Sequence, residues 1–105
     1  MYSLEYLTSA ERDFLDIITY IAVDLANPKA AEDLTALYDK KMSLLREGVW
    51  RGQPLRGNLP KRILDYGYHW VAVGNHLVFF TYDNDNMKIL IHHICYGRRD
   101  LGNLL

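Results

Sequence analysis

At 105 residues and 50% hydrophobic composition, the chain is long enough for one domain, residues 1–105, with a single core, and too short for two. A lone cysteine, Cys95, excludes an internal disulfide; Met1-Tyr2-Ser3-Leu4-Glu5-Tyr6 lacks the basic and apolar regions of a signal peptide, and no apolar run approaches a membrane span, so a cytoplasmic protein without membrane contact is expected. The net charge of -1 hides an asymmetry: residues 1–45 carry four Lys or Arg against eight Asp or Glu, whereas residues 46–105 carry eight against five together with all four His.

Tyr2 to Leu7 alternates loosely and reads as a short first strand. Thr8 with Glu11 three residues later has the spacing of a capping box, and Phe14, Ile17, Ile18, Ile21 and Leu25 recur at helical spacing, which predicts a helix from about Ser9 to Leu25. Asn27-Pro28 stops that helix and starts the next, because Asn is a favoured N-cap and the N–H that Pro lacks would be unpaired at the first helical position. Leu34, Leu37, Tyr38, Leu44 and Leu45 mark the second helix, which should end near Gly48. So short a connection predicts an antiparallel helical hairpin.

A loop from Gly48 to Pro60 precedes β-rich runs at Arg62 to Tyr66, Tyr68 to Val73, His76 to Tyr82 and Lys88 to Tyr96. Gly74-Asn75 is a two-residue hairpin signal, and Asp83-Asn84-Asp85-Asn86 is a longer turn whose side chains can bond their own backbone. The expected fold is α+β: an N-terminal strand, then an antiparallel helical hairpin packed on an antiparallel β-sheet meander in two layers.

The chemistry-bearing residues concentrate in the second half. Arg46, Arg51, Arg56, Lys61, Arg62, Arg98 and Arg99 are dispersed among Trp50, Tyr66, Tyr68, Trp70 and Tyr96, a pattern that suits single-stranded nucleic acid, with cations on phosphates and rings under bases. The last strand runs into Gly97-Arg98-Arg99-Asp100, and paired guanidinium groups at a strand end match the geometry of an anion. Solvated arginines and core aromatics are the competing explanation. His92, His93, Cys95 and His76 invite a metal reading, but adjacent strand residues point to opposite faces; His93 is expected beside Ile89, Ile91 and Cys95, and His92 beside Leu90 and Ile94. No metal and no cofactor is expected. Glu11, Asp13 and Asp16 favour the dipole at the start of the first helix and are assigned no catalysis.

Five segments together carry a family resemblance: Thr8-Ser9-Ala10-Glu11-Arg12-Asp13, the Ile-rich stretch to Leu25, Asn27-Pro28-Lys29-Ala30-Ala31, Leu77-Val78-Phe79-Phe80-Thr81-Tyr82-Asp83, and Ile94-Cys95-Tyr96-Gly97-Arg98-Arg99-Asp100. In order and spacing over almost the whole chain they resemble the RelE/ParE toxin superfamily of bacterial toxin–antitoxin systems. The resemblance implies a small cytoplasmic toxin held inactive by a cognate antitoxin whose C-terminal arm wraps the fold. RelE-like members cut messenger in the ribosomal A site without a metal, and ParE-like members poison DNA gyrase; one fold serves both.

The reading placed first is a ribosome-dependent mRNA endoribonuclease that inhibits translation. Such an enzyme needs a proton acceptor, cations on the developing phosphorane and an acid for the leaving oxygen. The resemblance gives Arg99 phosphate stabilisation and Tyr96 the acid, base or stacking role. Arg62, on the strand before the hairpin, completes the catalytic set, while Arg98, Arg56, Lys61 and His69 are nucleic-acid-binding candidates. Arg62 and His69 are expected to face one basic concavity, which would also receive the antitoxin arm. Two positions depart from the ribonuclease pattern: Val71-Ala72-Val73 stands where those members carry a mid-strand arginine, and Leu104-Leu105 where they carry a terminal Tyr. The alternatives are a ParE-like gyrase inhibitor without catalysis and a degenerate toxin that only pairs with its antitoxin. The exposed edge strand leaves self-association open.

Overall fold

The computed structural model describes residues 1–97 and 101–105. Strand β1 (Ser3–Tyr6) leads into helix α1 (Thr8–Thr19), which widens into a π-helical turn over Tyr20–Asp24, and α2 (Pro28–Arg46) completes the hairpin. Strand β2 (Gln53–Pro54) and the single helical turn α3 (Lys61–Leu64) precede β3 (His69–Val73), β4 (His76–Asp83) and β5 (Lys88–Tyr96), and α4 (Leu101–Leu104) follows. The sheet order is β1-β5-β4-β3-β2, antiparallel except that β1 runs parallel to β5, with Leu4 opposite Ile89. First and last strands are therefore neighbours, so the end of β5 lies beside the start of α1. No helix among the described residues is long and apolar enough to cross a membrane.

The expected α+β architecture is present. Asn27 caps α2 by accepting the Ala30 N–H at 3.1 Å, and Gly48 at φ +77° ends the segment after it. Ala31, Tyr38, Met42 and Leu45 form the buried stripe of α2. With Ala10 of α1, Tyr38, Met42 and Leu45 cover Val71, Val73, Val78, Phe80, Ile89, Ile91 and Ile94 of the sheet. A second, smaller cluster fills the opposite face: Ile63 of α3, Tyr68, Phe79 and Cys95, with Leu101, Leu104 and Leu105 packed against it. Gly74 at φ +60° turns β3 into β4, and Asp83 accepts both the backbone and the side-chain N–H of Asn86, at 3.3 Å and 2.9 Å.

Four local expectations are corrected. The capping box does not form: Leu7 still donates to Ile91 O at 2.9 Å in the ladder and occupies the N-cap position without a side-chain cap. Ser9 instead donates to His92 O at 2.6 Å. Next, α-helical geometry stops at Thr19 rather than Leu25; Leu25 donates to Tyr20 O, five residues back, where the β-branched Ile17, Ile18, Thr19, Ile21 and Val23 crowd a narrower helix. Third, Arg62 to Tyr66 is not a strand. Pro60 starts a helical turn in which Ile63 alone is buried, and Lys61 pairs with Asp65 one turn on, while the strand that does flank β3 is β2, with Pro54 at the sheet edge where a missing N–H costs no ladder bond.

The fourth correction concerns β5. Ile91 pairs with Phe80 but His93 pairs with Phe79, so His92 is an extra residue in the ladder. The bulge breaks strict alternation: Ile94 joins Ile89 and Ile91 in the main core, and Cys95 goes to the second face. His92 and His93 are kept apart by different partners rather than by opposite faces. His92 Nε2 meets Thr81 Oγ1 at 2.8 Å, and His93 Nδ1 meets Asp13 Oδ2 at 3.3 Å.

Candidate functional site at the end of strand β5

Tyr96 is the last residue of β5 and stands 57% exposed. Its ring meets the edge of the His76 ring, with centroids 5.1 Å apart at 85°, because the hairpin register places His76 directly opposite Tyr96. Gly97 then donates to Asn75 O at 3.0 Å, tying the strand end to the β3–β4 turn. His76 is buried, its Nδ1 has no hydrogen-bond partner, and burial pushes the imidazole below its usual pKa, which keeps it neutral at pH 7.

Beside Tyr96 a groove of about 900 Å³ opens between the helical hairpin and the end of the sheet. Ile17, Tyr20, Leu34 and Ile94 supply its apolar wall, and Leu104 of α4 closes one side. Asp13 and Asp16 also line it, and no described Lys or Arg does. Among the described residues the groove is apolar with an acidic edge, because the hairpin that forms one wall belongs to the acidic half of the chain. Asp13 is held in place there, accepting the Ile94 N–H at 3.0 Å where β1 no longer covers β5.

The remaining site candidates are dispersed. Arg62 sits on α3, and its guanidinium donates to Gly102 O at 2.9 Å and to Leu105 O at 3.1 Å, so it fastens α4 onto the second face. His69 lies across the sheet from it: the ring stacks on Phe80 at 5.8 Å, meets Tyr82 edge-on at 5.1 Å, and Nδ1 contacts Gly67 O at 3.1 Å. Arg62 and His69 therefore do not share a concavity, because helix α3 packs on the face that Ile63 and Tyr68 occupy, whereas Phe80 belongs to the helix-covered face. Lys61 is paired with Asp65, and Arg56 is exposed in the loop after β2. Arg98 and Arg99 lie outside the described residues.

His76 is the site residue that sequence reading missed as a partner of Tyr96. Its signal was the register of the β4–β5 hairpin, which the bulge at His92 obscures. His92 itself is built into a polar and aromatic cluster: beyond its Thr81 contact, the rings of Tyr66 and Tyr68 meet it edge-on at 5.6 Å and 5.3 Å. Burial and the neighbouring His93 push its pKa down. Among the described residues no three His, Cys, Asp or Glu side chains come together to hold a metal. Chemically, the described site offers an exposed phenol against a neutral imidazole beside an apolar groove. Recognition of an apolar or amphipathic segment needs no more than this, whereas phosphoryl transfer also needs cations around the reacting oxygens.

The chain matches the model of the ParE toxin of the type II toxin–antitoxin system parDE over residues 4–101. None of the curated protein sequences matches it. Among solved structures it is similar to a chain of the chromosomal ParDE toxin–antitoxin system from Pseudomonas aeruginosa, with a TM-score of 0.68 and 18% identity over 91% of this chain and 96% of that one. It is also similar to a chain of the toxin–antitoxin complex RelBE2 from Mycobacterium tuberculosis, with a TM-score of 0.58 and 18% identity over 90% and 96% of the two chains. At that identity the two structures speak to the fold, and the fold is the one described above. On the family match across nearly its whole length, the chain belongs to the ParE toxin family of type II toxin–antitoxin systems.

Proposed function

We propose that this toxin acts by binding, as a ParE-like inhibitor of DNA gyrase without catalysis of its own, and that a cognate antitoxin neutralises it. The observation that carries the reading is the position of Arg62. The cation assigned to a catalytic set is spent on the carbonyls of Gly102 and Leu105, and no described Lys or Arg lines the groove beside Tyr96. The strand position of the missing mid-sheet arginine points the same way, since Val71 and Val73 are buried core residues. The family model supports it as well, being that of the ParE toxin of parDE.

The antitoxin reading rests on the groove. An amphipathic arm would set apolar side chains against Ile17, Leu34 and Ile94, where Tyr20 and Leu25 remain more than half exposed at the rim. Both similar structures come from toxin–antitoxin systems, one of them titled as a toxin–antitoxin complex. Action on gyrase would place the protein in the cytoplasm.

The ribonuclease reading retains one supporting feature: Tyr96 is exposed and lies within three residues of Arg98 and Arg99 in the chain. A gyrase supercoiling assay run beside primer extension on messenger from a purified translation system separates the two. Blocked supercoiling with intact messenger is expected. New ribosome-dependent 5′ ends with normal supercoiling would replace the proposal with messenger cleavage centred on Tyr96 and Arg99.

A further inference from the structure

Asp13, Asp16 and Tyr20, three and then four residues apart, follow one another along the edge of α1 and its π-helical continuation that borders the groove beside Tyr96. Asp13 is already engaged: its carboxylate accepts the Ile94 N–H at 3.0 Å and meets His93 Nδ1 at 3.3 Å. Asp16 is exposed and is ion-paired with no described residue. The groove floor supplies a second polar element. His76 lies on the helix-covered face with Val78, two residues on, and is 6% exposed. Its Nδ1 is sealed from water without a partner, whereas Nε2 is neither sealed nor hydrogen-bonded among the described residues. Orphaned buried N–H groups are avoided more strictly than orphaned acceptors, so the proton of the neutral ring belongs on Nε2, which presents an N–H to the groove.

These groups constrain the occupant. A wholly apolar segment would shut Asp16 from water unpaired and leave the His76 N–H without an acceptor, and an acidic segment would add like charge beside Asp13 and Asp16. An amphipathic segment with a Lys or Arg flanking its apolar face satisfies every element: apolar side chains rest on Ile17, Leu34 and Ile94, the cation meets Asp16, and a backbone or side-chain oxygen accepts from His76. We propose that the groove selects a basic amphipathic segment of the cognate antitoxin, held by an ion pair to Asp16 and a hydrogen bond from His76 Nε2. This rests on the antitoxin reading of the groove and adds its selectivity: an arm with a carboxylate where the cation belongs is rejected.

The test is surface plasmon resonance between the full chain and the purified cognate antitoxin, with a thermal melt checking the fold of each variant. Asp16→Asn should weaken binding about tenfold, and Asp16→Lys about 100-fold because it sets like charges together. When the Lys and Arg residues of the antitoxin arm are changed to Glu one at a time, one variant should bind Asp16→Lys at least about tenfold better than the unchanged antitoxin does, a recovery that general damage to the groove does not give. His76→Phe, which keeps a ring in the floor and removes an unpaired nitrogen, should fold normally and bind about three- to tenfold more weakly through one lost hydrogen bond. An antitoxin that does not bind the unaltered chain overturns both the antitoxin reading and this selectivity. Tight binding that Asp16→Lys or a well-folded His76→Phe leaves unchanged, or an Asp16→Lys loss that no arm variant recovers, overturns the selectivity alone. A dimer of the free chain that Asp16→Lys dissociates without weakening antitoxin binding would assign the groove to a second copy and overturn it as well.

Discussion

Replacing Arg62 by alanine distinguishes a structural arginine from a catalytic one. The guanidinium makes two hydrogen bonds, at 2.9 Å to Gly102 O and 3.1 Å to Leu105 O, and both bring a fixed positive charge to the C-terminal end of α4. A buried charged hydrogen bond is worth about 1.5–3 kcal/mol, but Arg62 is exposed, and water replaces much of each contact. We expect a loss of about 1–2 kcal/mol for the pair, confined largely to the docking of α4. With a urea slope of roughly 1.5 kcal/mol/M, full coupling to global unfolding would lower the midpoint by about 0.7–1.3 M, and local detachment of α4 would lower it less. The sharper assay is amide exchange. The Leu105 N–H, which donates to Leu101 O at 2.9 Å, should lose protection by about 5- to 30-fold while amides of β4 and β5 change little. Supercoiling inhibition should survive in proportion to the folded fraction. Unchanged Leu105 protection together with complete loss of toxicity would refute the structural role and return Arg62 to the reacting centre.

Other perturbations probe the fold independently. Gly52→Ala should be among the most damaging substitutions: φ is +72°, and a Cβ there would sit 2.7 Å from the backbone oxygen of Trp70 and 2.9 Å from Phe80 Cζ, so a cost above about 2 kcal/mol and a Tm drop of at least about 8 °C are expected in a thermal melt, and a drop under 3 °C would contradict the packing. Asn27→Ala removes the cap on Ala30 and should cost about 1 kcal/mol in urea denaturation, whereas Asn27→Asp should preserve most of it. Stability should fall with acidification. Burial lowers the folded-state pKa of His76 and His92 from 6.5, so the unfolded chain takes up protons first, and the stability held above pH 6.5 is lost as pH drops from there toward the folded values. Urea midpoints at pH 7.5 and 5.5 check the sign: the lower pH should give the lower midpoint, His92→Gln should flatten the difference, and a higher midpoint at pH 5.5 would contradict it.

Much of this fold could be read from local chemistry. Asn27-Pro28, Gly74-Asn75 and Asp83 to Asn86 each act through their own backbone, so the hairpin of helices and the two sheet turns fall where the residues place them. Helix α3 and strand β2 were hidden because tertiary contacts decide them: Ile63 buries one side of a helical turn, and Gln53-Pro54 becomes a strand only by meeting His69 and Trp70. The bulge at His92 was equally invisible, and one inserted residue moved Ile94 onto the face of Ile89 and Ile91 and took Cys95 off it. Of the site, the sequence placed Tyr96 at the end of the last strand, but whether its ring is exposed there depends on the packing around the strand end. It could not show that Arg62 would be drawn to the carbonyls of α4, that His69 would stack on Phe80 across the sheet, or that Asp13 and Asp16 would be the charged groups lining the groove among the described residues.

The central claim is that this toxin works by binding its target. Its most direct test is a supercoiling reaction containing only purified DNA gyrase, relaxed plasmid and ATP, titrated with the purified chain and then with its cognate antitoxin. The account predicts a dose-dependent block that the antitoxin reverses, with no ribosome present. Full supercoiling at saturating toxin, from a preparation that cleaves messenger on translating ribosomes, would contradict it.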